Sequence, residues 1–319
     1  MKLKIALGSL ILLTIGGCTT NSGMVDKVIN KDHILLEGVQ IPEWKLGDRI
    51  TYGNGRSERI IKVDGDKVFW KKTKTTKFTT THNFIEPQLH YESKTRIINK
   101  KVIDFGGSKH PDELWPLRVG NLVNIYYDNA YANLKVGTHF KNSMRNVECS
   151  VDETVNIQVL AGKFDTYVVN CHNISRNGNK GTQYTYYYAP VLGHWVYKTT
   201  KTRKKTYEKE LMRLTRGARW LSKNERKSLR VSLQNVMENN QTGQKNIWQS
   251  KDGKTTVESY PAKTMKLETG AYCRNYIQVI ERAGKATQSA AGLLCRDNAK
   301  KWKSPKREKV ANLGFKGFF

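Results

Sequence analysis

The stretch Ala271-Tyr272-Cys273-Arg274-Asn275-Tyr276-Ile277-Gln278-Val279-Ile280-Glu281 and the stretch Ala286-Thr287-Gln288-Ser289-Ala290-Ala291-Gly292-Leu293-Leu294-Cys295-Arg296 read as two strands. They are joined at Arg282-Ala283-Gly284-Lys285, a hairpin turn signal. Cys273 and Cys295 are equidistant from Gly284, so they face each other across that hairpin. Facing β-carbons lie roughly 4.5–5.5 Å apart, close to the reach of a disulfide. Cys149 and Cys171 repeat the same separation around Ala161-Gly162-Lys163. Their midpoint, residue 160, misses the turn by a residue or two, so a bulge or offset is needed. The fifth cysteine, Cys18, is set apart near the N-terminus. Four cysteines permit three pairings, and the two hairpins select Cys149–Cys171 and Cys273–Cys295.

Outward from these hairpins the pattern stays β. Asn54-Gly55 and Asp64-Gly65 are turn signals with strand-like Arg59-Ile60-Ile61-Lys62-Val63 between them and Lys67-Val68-Phe69-Trp70 after. Lys71–Thr81 reads as an exposed strand, and Leu122–Tyr127, Val155–Leu160, Phe164–Cys171 and Thr182–Ala189 continue the series. Many antiparallel strands at short spacing predict a curved sheet, sandwich or partial barrel. One helix is expected. Ser222 and Glu225 form a capping box, Leu229, Leu233, Val236 and Met237 recur at helical spacing, and Asn239–Gly243 ends it. The fold class is therefore mainly β: an antiparallel curved sheet or sandwich domain, a linking amphipathic helix and a small disulfide-linked β domain. The expected organisation is a signal peptide over 1–17, a tether over 18–32, a β domain over 33–212, a second domain over 213–305 and a basic tail over 306–319.

At the N-terminus Lys2 and Lys4 precede an apolar run from Ile5 to Ile15, which ends in Gly16-Gly17-Cys18. The run is short for a spanning helix and has the proportions of an export signal. With the small residues before Cys18 it resembles the bacterial lipoprotein signal and lipobox, and the resemblance implies that Cys18 is acylated. Thr19, where an inner-membrane retention signal has Asp, implies the outer membrane as the destination.

The composition is strongly basic. Lys plus Arg number 55 against 28 Asp plus Glu, a formal net charge of +27. Residues 213–319 carry 23 basic against 8 acidic side chains, and the longer segment 18–212 carries 30 against 20. Such an excess favours anionic partners, here an anionic lipid, lipopolysaccharide or an envelope glycan. The expected contacts are Lys223, Arg226, Lys227 and Arg230 on the helix, and Lys300, Lys301, Lys303, Lys306 and Arg307 towards the tail. Nucleic acid fits the basic and aromatic strands, but an exported, lipidated context argues against it. Arg274 and Arg296, beside the facing cysteines, are expected to face each other and to be structural, pairing with Asp297 or a backbone carbonyl.

A resemblance enters over Leu221–Trp302. The helix start Leu221-Ser222, Gly243, Trp248, Cys273-Arg274-Asn275-Tyr276, Gly284, Gly292, Cys295-Arg296-Asp297 and Trp302 together resemble the C-terminal domain of the rickettsial seventeen-kilodalton surface antigen family of outer-membrane lipoproteins. It implies a non-catalytic surface-antigen type of protein at the envelope. The β domain over 33–212, through Leu114-Trp115-Pro116-Leu117 and Gly162-Lys163-Phe164-Asp165, resembles uncharacterised envelope β domains, and its sheet is similar to those of lipoprotein carriers. That supplies the alternative: a carrier or chaperone for a lipid or lipoprotein, with a cavity in the sheet.

No catalytic constellation is legible. The histidines are scattered without metal-ligand spacing, and neither G-x-S-x-G nor S-x-x-K occurs. His110-Pro111-Asp112-Glu113 reads as a polar loop. The expectation is a protein without enzyme activity, metal or cofactor, lipid-anchored to the outer membrane. If Cys18 is acylated, Cys18→Ser stops incorporation of labelled fatty acid and releases the chain from membranes. Unchanged labelling and fractionation of that variant would refute the anchor.

Overall fold

The computed structural model describes residues 29–30, 36, 38–85, 90–103, 109–135, 137, 140–175, 177–266 and 270–305. Cys18, Lys306 and Arg307 lie outside the described residues, as do the signal and most of the tether.

Twelve strands follow one another in chain order and rejoin. After a two-residue strand β1 (Ile29–Asn30) come β2 (Arg49–Tyr52), β3 (Ser57–Asp64), β4 (Lys67–Lys71), β5 (Lys77–Thr80), β6 (His90–Glu92) and β7 (Arg96–Ile103). Then follow β8 (Leu122–Asn133), β9 (Phe140–Val159), β10 (Gly162–Ile174), β11 (Lys180–Ala189), β12 (His194–Lys201) and β13 (Thr206–Thr215). Each of β2 to β13 pairs antiparallel with its neighbour, and β13 pairs back onto β2. The expected curved sheet or sandwich is thus a closed barrel. Closure removes the exposed strand edges that an open sheet leaves. Lys71–Thr81 is not one strand: it breaks at residues 72–76 into the end of β4 and all of β5.

The switch of partners along β13 makes closure possible. Tyr207 to Glu210 pair with β12, while Leu211, Arg213, Leu214 and Thr215 pair with β2. Arg213 and Leu214 pair at the same time with Gly292 and Ala291. A residue has two ladder edges, so the second sheet takes over the edge that β12 vacates. That sheet holds β14 (Asn246–Gln249), β15 (Thr255–Lys266), β16 (Tyr272–Arg282), β17 (Lys285–Arg296) and β18 (Trp302–Lys303). The expected boundary at 212/213 falls inside β13, and the described residues form one compact unit.

Alternation builds the core. In β3 Glu58 and Ile60 are buried while Arg59 is exposed; in β4 Val68 and Trp70 are buried while Lys67 and Lys71 are exposed. Period-two burial of this kind is what a barrel wall requires. Cys149 and Cys171 face each other on β9 and β10 and are bonded. The bulge between Val168 and Val169 absorbs the one-residue offset. Cys273 and Cys295 face each other on β16 and β17 and are bonded.

The helix α1 (Lys223–Asn239) begins at the Ser222–Glu225 capping box. It buries Val236 and Met237, and Met237 packs with Tyr276, Leu294 and Trp302, joined by the partly buried Leu233. Arg274 faces Leu294, not Arg296, because the register pairs Cys273 with Cys295. Its guanidinium donates to the Met237 and Asn240 carbonyls, each at 2.7 Å, and so satisfies the helix C-terminus. Arg296 pairs with Glu238 rather than Asp297, and Asp297 takes Lys303 at 2.6 Å.

One buried ion pair joins three parts of the chain. Asp48 is fully buried and accepts from Arg216 Nη1 at 2.9 Å, from the Gly217 amide at 2.7 Å and from the Lys45 amide at 3.3 Å. Arg216 also donates to the carbonyls of Leu192 and Ser289, at 2.6 and 2.9 Å. Gly217 packs so tightly that an added Cβ would collide with the Leu46 carbonyl oxygen and lie 3.0 Å from the Gly47 backbone. Asp48→Asn leaves Arg216 buried without its counter-charge and is expected to cost about 3–5 kcal/mol in denaturant unfolding. Gly217→Ala is expected to lower stability through backbone displacement, with no charge change.

Candidate functional site: a cationic cavity in the barrel

The strands that form the wall line a cavity of about 650 Å³. Its apolar lining is mostly aromatic: Trp44, Tyr52, Trp70, Phe78, Tyr127, Tyr184, Tyr186 and Trp195 all contribute. Alternation explains the tyrosines, since Tyr184 and Tyr186 on β11 share one face two residues apart. The segment 81–85 also lines the cavity. His82 Nδ1 accepts from the Trp44 amide at 2.9 Å, and Asn83 donates to Asp112 at 3.0 Å. Phe84 stacks on Tyr188 with centroids 4.7 Å apart.

The charge of the lining is lopsided. Lys100, Arg145, Lys198 and Lys209 face Glu58, the sole carboxylate among the lining residues. Glu58 is already committed: it accepts from the Tyr52 hydroxyl at 3.1 Å and lies 3.7 Å from Lys72 and 3.8 Å from Lys209. Lys198 has no carboxylate within 4 Å among the described residues. Its ammonium donates to the Tyr186 hydroxyl at 2.9 Å and lies 4.3 Å from the Tyr186 ring centroid and 5.0 Å from that of Tyr184. Loss of water pushes its pKa down to about 8. Desolvation also lowers Lys209 and Lys100, and the like charges of Arg145 and Lys198 add to the effect at Lys100. Burial raises Tyr186, so its phenol stays protonated and accepts from Lys198 as a neutral group.

His194 completes this wall. Its ring is buried against Trp44 and Trp195, with centroids 5.3 and 4.7 Å away, and neither ring nitrogen has a partner among the described residues. Burial first, then Arg216, Lys209 and Lys198, hold it neutral, well below the ordinary histidine range. A cavity of this size takes a ligand of drug-like dimensions. Half-buried ammonium groups among aromatic faces can hold an anionic head while the rings cover an apolar body.

No protein-family model, curated protein or solved structure matches this chain.

The residues expected from sequence lie elsewhere. Lys223 and Lys227 are exposed on α1, Lys300 and Lys301 sit at an exposed turn, and Lys303 is engaged by Asp297. Arg226 and Arg230 line a groove on the barrel's outer wall. His110 caps the short turn Pro111–Leu114, where its Nδ1 accepts from the Asp112 amide. The cavity residues escaped the sequence reading. The available signal was Tyr184, Tyr186 and Tyr188 alternating beside a strand that carries Lys198, but which face turns inward depends on closure.

Lys198 sets a pH dependence with a definite sign. Its folded pKa is lowered from 10.5 to about 8. Between those values the unfolded chain binds the proton and the folded one does not. Stability therefore rises as pH climbs from about 8 towards 10.5, and the penalty is greatest below 8. Lys198→Met is expected to be more stable than the parent at pH 7 and to lose that part of the rise, read as denaturation midpoints against pH.

Proposed function

We propose that this protein is an exported, lipid-anchored binding module of the outer membrane that carries a small anionic amphiphile inside its barrel. The surplus of cations around one engaged carboxylate in an aromatic cavity carries this reading. A barrel interior that only needed filling would be packed with apolar side chains. Ammonium groups kept there at a cost in desolvation argue for a counter-charge that arrives from outside.

The envelope location is supported by the lipobox-like run ending in Cys18 and by two disulfides, which persist in oxidising compartments. The surface-antigen resemblance over Leu221–Trp302 points to the same compartment. Between the structural-module reading and the carrier reading, the cavity favours the carrier.

Native mass spectrometry of the full-length protein tests this directly. A co-purifying acidic small molecule is expected, with occupancy strongly reduced in Lys198→Met. Titration with the aromatic anion 1-anilinonaphthalene-8-sulfonate gives a second readout. Its fluorescence enhancement is expected to fall about tenfold in affinity for Lys198→Met, the scale of one lost charged hydrogen bond. A parent protein that carries no ligand and binds no such anion overturns the carrier reading.

A further inference from the structure

On the outer wall of the barrel, a groove of about 510 Å³ is lined by six arginines: Arg49, Arg59, Arg213, Arg219, Arg226 and Arg230. They come from β2, β3, β13, the following loop and α1. No carboxylate lines the groove, and none of the six has an ion-pair partner among the described residues. The chain has 38 lysines and 17 arginines, yet no lysine lines this groove. General basicity does not give that composition.

The arrangement costs the free protein energy. Arg49 and Arg59 face each other directly across β2 and β3, and Lys71 faces Arg59 from the other side. Like charges directly opposed on a sheet are destabilising. Burial, and then the charges of Arg59 and Arg213, lower the Arg49 pKa. The groove is also shaped. The stem of Arg213 crosses the bare backbone of Gly292, where a Cβ would lie only 2.6 Å from its Cγ. The buried Nε of Arg213 has no acceptor among the described residues. Arg226 is held from behind by the carbonyls of Leu221 and Ala218.

We infer that this groove is a binding site for a ligand bearing at least two phosphate groups. Guanidinium presents a planar fork of donors that matches phosphate oxygens two at a time, which ammonium cannot do. Six forks exceed what one phosphate can accept, so the ligand carries a cluster. The phosphates come either from a soluble polyphosphate or from a diphosphorylated lipid headgroup. The site is separate from the barrel cavity and does not depend on it.

The test titrates the full-length protein at physiological salt with inorganic tripolyphosphate and with inorganic phosphate. Separately, it measures sedimentation with phosphatidylcholine vesicles, with and without cardiolipin, which has two phosphates per molecule. Tripolyphosphate is expected to bind at least tenfold more tightly than phosphate. The double variant Arg49→Gln/Arg59→Gln is expected to weaken it a further tenfold or more, without loss of thermal stability. Arg49→Lys/Arg59→Lys keeps the charge but is expected to lose most of the affinity. Lys300→Gln/Lys301→Gln removes the same charge elsewhere and is expected to change little. Binding to both tripolyphosphate and cardiolipin vesicles supports a site for the phosphate cluster itself. Binding to cardiolipin vesicles alone, lost in the Arg49/Arg59 glutamine variant, supports a lipid source. Equal losses in the arginine and lysine glutamine variants, full affinity in the Arg→Lys variant, or no binding to either probe overturns the inference.

Discussion

The Asp48–Arg216 pair holds the architecture together. Asp48 immediately precedes β2, and Arg216 immediately follows β13, the two strands whose pairing closes the barrel. The same guanidinium reaches the Leu192 carbonyl before β12 and the Ser289 carbonyl in β17. It also lies 5.3 Å from the Trp44 ring centroid. A buried ion pair of this kind stabilises only when its polar atoms find partners, and here each guanidinium nitrogen and both carboxylate oxygens do. Its value is positional: it fixes where the ring closes and where the second sheet departs.

That departure explains the rest of the C-terminal region. Asn275, fully buried in β16, donates to the Leu160 carbonyl at the turn between β9 and β10. The Leu160 amide donates in turn to Glu210. The helix is fastened from the other side, where Gln234 exchanges two hydrogen bonds with the Trp302 backbone and Glu238 accepts from the Trp302 indole. The second sheet and the helix thus lock against each other, and the sheet locks against a barrel turn. The Met237, Asn240 and Leu160 carbonyls at helix and turn ends are satisfied along the way by Arg274 and Asn275.

Two concentrations of positive charge emerge from this frame, and they differ in kind. Inside the barrel, ammonium groups lie among aromatic rings and have lost water, which is why Lys198 titrates low. Outside, guanidinium groups meet at a concave junction between the wall and α1, unpaired with any carboxylate among the described residues. The first suits an anion with an apolar body, the second a dense cluster of anionic oxygens. The general basicity of the sequence conceals both.

Local information settled much of the secondary structure. The Asn54-Gly55, Asp64-Gly65 and Gly284 turns, the Ser222–Glu225 box and both cysteine pairs were legible because each depends on neighbours in sequence or on symmetry about one turn. Closure into a barrel was not legible, because it depends on β13 meeting β2 across some 160 residues and on one arginine choosing Asp48. The partners of Arg274 and Arg296 were likewise set by where α1 docks. The candidate sites were the least legible of all. Alternation tells which residues share a face of a strand, but not which face a closed sheet turns inward, and sequence distance hides Arg49 from Arg213 and Arg230. The sequence by itself determined strands, turns, one helix and the cross-links, since those are short-range. Only the tertiary structure decided the barrel cavity and the arginine groove, since both exist where distant strands converge.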